Sequence, residues 1–189
     1  MHKIIIIGSG GHARSCLDVI REEKKYSFYS YIDRKLNRSK KVLPEIQLKK
    51  IKKKVKYALI GVGQIKDFKT RLRLYRKLKN FGFKLPTIVS PFAYVSKLSK
   101  IGEGTIVMHG AIINAYAQIG KNVIINTGAV IEHDVKIGDN CHISTSVTIN
   151  GECSVGNNTF IGSNSVVVNN IKIKNGKFIK ANTLIKKNV

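Results

Sequence analysis

From Val89 to Ile185 every sixth residue is valine or isoleucine, seventeen positions without a break. These two types fill only 43 of the 189 positions, so the series reflects a folding pattern and not the composition. A period of six fits neither the helical turn nor the heptad of a coiled coil. It predicts a parallel β-helix: each hexad makes a short strand and a corner, three hexads close a triangular coil, and residues eighteen apart stack. First and fifth positions then point into the prism, and many fifth-position residues are small or β-branched: Ala111, Ala117, Val135, Cys141, Cys153 and Ser165 among them. Cys141 and Cys153 therefore read as core fillers, as does Cys16 on the apolar face of a helix. Glycine at several second positions, such as Gly120 and Gly138, is expected to give the corners backbone freedom.

The hexads begin near residue 85, which divides the chain into 1–84 and 85–189. The first part has the βαβ pattern of a Rossmann-like half-domain. "KIIII" (3–7) suits a buried parallel strand, "GSGG" follows, and helical spacing of Cys16, Leu17 and Ile20 predicts the first helix. Strands are expected at 27–33 and 56–63, and a second helix closing at Gly82. Gly8, Gly10 and Ala13 meet the G-x-G-x-x-[GA] pattern, and Asp33 ends the second strand. About three strands leave room for one nucleotide and too little for NAD. A nucleoside-diphosphate sugar fits such a half-fold, its pyrophosphate at the helix N-terminus.

Charge bounds the partners. The chain carries 34 Lys+Arg against 11 Asp+Glu, a net +23. The lysines are scattered in short runs such as Lys40-Lys41 and Lys52-Lys53-Lys54, without interleaved aromatic residues, which argues against nucleic acid as the main partner. No stretch has the length of apolar sequence needed to span a bilayer, and the first apolar run is too short for a signal peptide. A cytoplasmic protein without stable membrane insertion is expected. Three widely spaced cysteines offer no CxxC pair, so neither disulfides nor a metal site is expected.

In the hexad phase His133 is a third-position and His142 a sixth-position residue, so both are expected to project outward. Ala115 and Gly151 stack on either side of His133, clearing space for its ring and leaving the Gly151 N–H unshielded. Asp134 adjoins it, able to orient the ring and stabilise its cation. Group-transfer chemistry at such a cleft needs a base near neutrality and a donor for a developing oxyanion. His133 and the Gly151 N–H suit those parts. His142 lies half a coil away, so the two histidines serve one site only if one comes from a neighbouring chain.

The isoleucine-rich hexads, "GSGGHA" and "NTGAVIEHDVKIGDNCH" together resemble the left-handed β-helix sugar acetyltransferases, in the branch of sialic-acid O-acetyltransferases and bacillosamine-pathway N-acetyltransferases. The resemblance implies a left-handed coil, a homotrimer with active sites at subunit interfaces, and acetyl-CoA as co-substrate. It implies His133 as base with Asp134 as its partner, and Asn126, His142, Gly151, Ser163 and Ala181 as acetyl-CoA contacts. It places the nucleotide sugar at Ser9, Gly10, Gly11, His12, Asp33 and Gly63. The chain departs from the family at Arg34, where N-acetylating members carry a second acidic residue, and in its last coil, which lacks the glycine-rich turn that meets the far end of CoA.

The leading expectation is acetyl-CoA-dependent N-acetylation of a nucleotide-linked amino sugar, of the UDP-4-amino type, for surface glycan synthesis. The alternative within the same chemistry is O-acetylation of a sialic or related nonulosonic acid, since amine and hydroxyl acceptors need the same base. Outside it stand a non-catalytic basic β-helix binding module, and a metal site of histidines from adjacent coils, against which the "EHD" context argues.

Overall fold

The computed structural model describes residues 1–34 and 41–189. Lys40 of the first lysine run lies outside them. The chain opens with β1 (His2–Ile7), α1 (Gly11–Glu23), β2 (Tyr26–Asp33), β3 (Val42–Pro44), α2 (Leu48–Lys52), β4 (Tyr57–Ile60) and α3 (Lys69–Asn80). The sheet is parallel, in the order β3-β2-β1-β4. It has four strands, not three: β3 is a three-residue edge strand ending at Pro44, too short to carry an alternating pattern. Ile4, Ile5, Ile6 and Ile7 are buried on both faces, as a central parallel strand requires.

Seventeen two-residue strands follow, β5 (Ile88–Val89) to β21 (Leu184–Ile185). They form three parallel sheets whose partners lie eighteen residues apart, as Ile119 pairs with Ile137 and Ile125 with Ile143. First- and fifth-position side chains fill the prism, from Val107 and Ala111 through Cys141 and Cys153 to Ile173. Burying one such isoleucine contributes about 1.5–3 kcal/mol. The fifth-position hydroxyls that replace apolar groups are satisfied: Thr105 donates to the Gly120 carbonyl (2.8 Å) and accepts from the Val123 amide (3.0 Å).

The corners correct one expectation. In fourteen successive hexads, from Gly104 to Asn182, the residue with positive φ is at the fourth position, and six of these are asparagine. The second-position glycines serve close approach instead. A Cβ at Gly138 would strike the Asn157 side chain, whose oxygen accepts from the Asp139 amide at 2.7 Å. The same step repeats with Asp139 below and Asn175 above.

The α/β domain lies on the prism face whose strands are Ile88–Val89, Ile106–Val107, Ile124–Ile125, His142–Ile143, Phe160–Ile161 and Phe178–Ile179. Its outward row, Ile88, Ile106 and Ile124, is fully buried against Ala13, Cys16, Leu17 and Ile20 of α1. Polar ties surround this seam: Tyr75 donates to Glu103 (2.7 Å), and His109 bridges Ser90 and Asp18. The outward rows of the other faces differ. One is polar, with Lys100, Gln118, Lys136, Ser154 and Lys172. The other is apolar and uncovered in the single chain, with Tyr94, Ile112 and Leu184 exposed.

Candidate active site

Among the described residues the expected site residues fall into three separate groups. At the corner between β12 (Val130–Ile131) and β13 (Lys136–Ile137), His133 Nδ1 lies 2.9 Å from Asp134 Oδ2. Asp134 takes the left-handed fourth position (φ 60°), which turns its carboxylate back to the ring of the preceding residue. Both side chains are about half exposed, at 53% and 52%. The hydrogen bond that Asp134 accepts from the ring raises the His133 pKa above its ordinary value; desolvation opposes it, and the charges of Asp134, Glu132 and Glu152 add to the rise. The ring lies over the next coil, where a Cβ at Gly151 would sit 2.6 Å from His133 Cε1 and Nε2. Any side chain there would cover the nitrogen that Asp134 leaves free. An open depression of about 740 Å³, lined by Tyr116, Asp134, Glu152 and Lys172, adjoins the pair.

The second group lies in the seam, and it corrects the expectation for His142. That ring does point away from the prism, but the side it faces is roofed by the α/β domain, and only 6% of the residue is exposed. Its Nδ1 hydrogen-bonds the Gln64 carbonyl, in the loop after β4, and its Nε2 lies 3.2 Å from Asn126 Nδ2. A carbonyl can only accept, so Nδ1 carries the proton and Nε2 accepts from the Asn126 amide. Asn126 Oδ1 in turn accepts from the Thr127 amide at 2.8 Å. His12, in the first turn of α1, is 6.5 Å from His142 between ring centroids, and its Nε2 meets Cys16 Sγ at 3.5 Å. The hydrogen-bond partners of His142 thus come from its own chain.

Burial keeps both seam histidines neutral, lowering His142 to about 4 and His12 to about 3, with the Arg71 cation adding to the effect. Burial likewise raises the Cys16 thiol to about 12, so it is no thiolate nucleophile.

The third group is the glycine loop. Gly8 (φ 95°) turns the chain out of β1, and Ser9 Oγ donates to Asp33 Oδ2 at 2.7 Å, fixing the loop to the end of β2. The Arg34 amide donates to the other Asp33 oxygen, and the Arg34 side chain pairs with Glu45 at 3.4 Å. Gly10 caps α1 without a side-chain hydrogen bond, and a Cβ built there meets nothing within 4 Å. The α1 N-terminus is therefore open for an anionic group. Gly63 faces His12 Cβ across the loop.

Ser163 lies along the same prism edge as Asn126, its Oγ 2.9 Å from Ser144 Oγ. Ala181 stacks one coil further, its backbone against Gly162. His133 has no contact with the seam group within the chain; the uncovered apolar face separates the two.

Residues 3–78 match the PglD N-terminal domain family, and residues 116–151 match the bacterial transferase hexapeptide family, six repeats. A histidine mutant of perosamine N-acetyltransferase from Caulobacter crescentus, in complex with CoA and GDP-perosamine, superposes with a TM-score of 0.94. It is 28% identical, over 100% of this chain and 90% of that one. PerB from the same organism, also with CoA and GDP-perosamine, gives 0.92 at 29% identity over 100% and 91%. The chain is an acetyltransferase with the left-handed β-helix fold, similar to these sugar acetyltransferases along its whole length. The acetyltransferase domain of PglB from Neisseria gonorrhoeae shares the fold of this acetyltransferase, with a TM-score of 0.92 at 23% identity over 100% and 93%. No curated protein sequence matches.

Two residues of the acetyltransferase's seam escaped the sequence reading. Arg71 is fully buried, donating to the carbonyls of Ile60 and Val62 and to Asn122 Oδ1, each at 2.8 Å. Its cue is helical phase, since Arg71, Leu74 and Leu78 share the buried face of α3. Gln64 is 2% exposed and donates to the Asn140 carbonyl at 2.7 Å. Its cue is weaker, a polar residue directly after the second glycine of "GVG".

Proposed function

We propose that the protein transfers the acetyl group of acetyl-CoA to an amino group of a nucleotide-linked sugar, with His133 as general base. The observation that carries this reading is the His133–Asp134 pair standing open over Gly151 on a rigid prism corner. With Nδ1–H donated to Asp134, Nε2 holds the lone pair that accepts a proton from the attacking amine. The amine nitrogen bonds to the thioester carbonyl carbon, the Gly151 N–H stabilises the developing oxyanion, and the C–S bond breaks. The imidazolium returns its proton to the departing thiolate. No Ser or Cys nucleophile is needed, in keeping with the buried, protonated state of Cys16 and Cys141.

The nucleotide is proposed to lie along Ser9, Gly10, Gly11 and Gly63 with Asp33 at its ribose end and His12 towards the sugar. Asn126, His142, Gly151, Ser163 and Ala181 are proposed to line the acetyl-CoA path. The neutral, fully committed His142 acts as a positioning group there. A cyclic trimer is proposed to unite the groups: packing on the apolar face of Tyr94, Ile112 and Leu184 brings the His133 corner of one chain towards the seam of the next. The acetyltransferases of Caulobacter crescentus with bound CoA and GDP-perosamine support a nucleotide-sugar amine as acceptor. UDP- and GDP-linked 4-amino sugars and free sialic acids, each incubated with acetyl-CoA, test the reading. Thiol release with an amino sugar is expected; release with sialic acids alone overturns it.

A further inference from the structure

The charge is unevenly placed. Residues 1–84 carry 24 Lys+Arg against 6 Asp+Glu, a net +18, while 85–189 carry 10 against 5, a net +5. Topology then sorts the excess. In a parallel βαβ sheet all strands begin, and their crossover helices end, at one edge, and the glycine loops leave from the other. Lys3 in β1, Lys24 after α1, Lys53 and Lys54 after α2, and Lys56 and Lys84 beside Tyr57 all lie at the starting edge, and all are exposed. Among the described residues none of the six has a carboxylate partner, whereas Lys25 and Lys79 nearby are paired with Glu23 and Glu103. Helix C-termini attract cations, which accounts for Lys24 and Lys53 but not for Lys3, Lys56 and Lys84 at strand starts.

We propose that this edge is a docking surface for an anionic lipid bilayer. A cluster of unpaired lysines on an exposed edge is attracted to a negative lipid surface through the sum of many weak contacts. The same edge holds Tyr57 with His2 at 5.1 Å and Tyr26 at 5.2 Å between ring centroids. Tyrosine, apolar in body and polar at its tip, suits the water–lipid boundary. These rings meet one another tilted and edge to face and do not form a row of parallel platforms, which disfavours the base stacking that single-stranded nucleic acid would use. The glycine loop, at the opposite edge, stays open to the solvent when the protein docks. The inference does not depend on the proposed reaction.

Sedimentation of the full chain with phosphatidylcholine vesicles, with and without phosphatidylglycerol, tests it. Binding is expected only with the anionic lipid and is expected to fade as salt rises through and above about 0.1 M, where screening reaches about 10 Å. Combined Lys53→Glu, Lys54→Glu and Lys56→Glu should weaken vesicle binding about tenfold or more, with turnover in solution unchanged. Combined Lys97→Glu, Lys174→Glu and Lys177→Glu on the prism changes net charge equally and should weaken it less than about twofold. Equal losses from the two triples, binding to neutral vesicles, or release from vesicles by equimolar RNA phosphate would each overturn the proposal.

Discussion

The corner at His133 and the seam at His142 set the same side chain in opposite surroundings. His133 is half exposed, faces carboxylates and is more basic than free histidine. His142 is buried, faces a carbonyl and an amide with a cation nearby, and is held neutral. Sequence alone gives the two rings similar status, since both leave the prism. The difference comes from what each meets outside it: solvent in one case, a second domain in the other. A base must exchange protons with substrate, and of these two rings His133 is the one with a nitrogen free to do so. The seam's nitrogens are both committed, which suits a scaffold that holds two domains in register.

Replacing His133 breaks the comparison most directly. His133→Asn should lower kcat/KM by about 10²–10⁴-fold, the usual contribution of a general base, and leave the thermal midpoint nearly unchanged because the ring is exposed. If His142→Asn abolishes turnover while His133→Asn retains it, proton transfer belongs in the seam. Steady-state thiol release on both purified variants settles it. Close behind comes Gly151→Ala. A Cβ 2.6 Å from the ring forces His133 off its bond to Asp134 or off its position, with a loss of about 100-fold in kcat expected and the fold retained.

The fold was legible because its signal is periodic. Seventeen Val/Ile positions set strand and stacking together, and the outward projection of His133 follows from the same phase. His142 did not, because phase says which way a side chain leaves the prism and not what covers it there. A cue was present one level up: Ile88, Ile106 and Ile124 lie in the same stacked row, eighteen residues apart, and three isoleucines in line pointing away from the prism imply a covered face. The short edge strand at Val42–Pro44 and the role of Gln64 left no comparable trace, since neither repeats nor alternates.

The seam offers a stability test of the same contrast. Both buried histidines have pKa values below those of the unfolded chain, so the unfolded state binds more protons and stability falls as pH falls. The loss should begin near 6.5 and continue towards about 4 for His142 and about 3 for His12. Urea midpoints should therefore drop across this acid range, and a His12→Gln, His142→Gln variant should show a flatter slope. Arg71→Met should cost about 2–3 kcal/mol at neutral pH, because carbonyls and Asn122 lose a buried donor. An unchanged urea midpoint would mean that the seam does not hold the domains together.

The corner's smallest effect carries a sign. A base works unprotonated, so with His133 in the proposed role the acid limb of kcat/KM should report its pKa, which Asp134 raises above the ordinary histidine value. Asp134→Asn keeps a side-chain oxygen in place but removes the charge. The acid limb should then move down towards the ordinary histidine value, while the plateau rate falls about tenfold because a less basic nitrogen is a weaker proton acceptor. At a pH on the wild-type acid limb the two changes oppose each other, so the variant's deficit should narrow as pH falls. A merely structural role for Asp134 would lower the rate at every pH alike and leave the limb where it is. Only an electrostatic role displaces it, and in that direction.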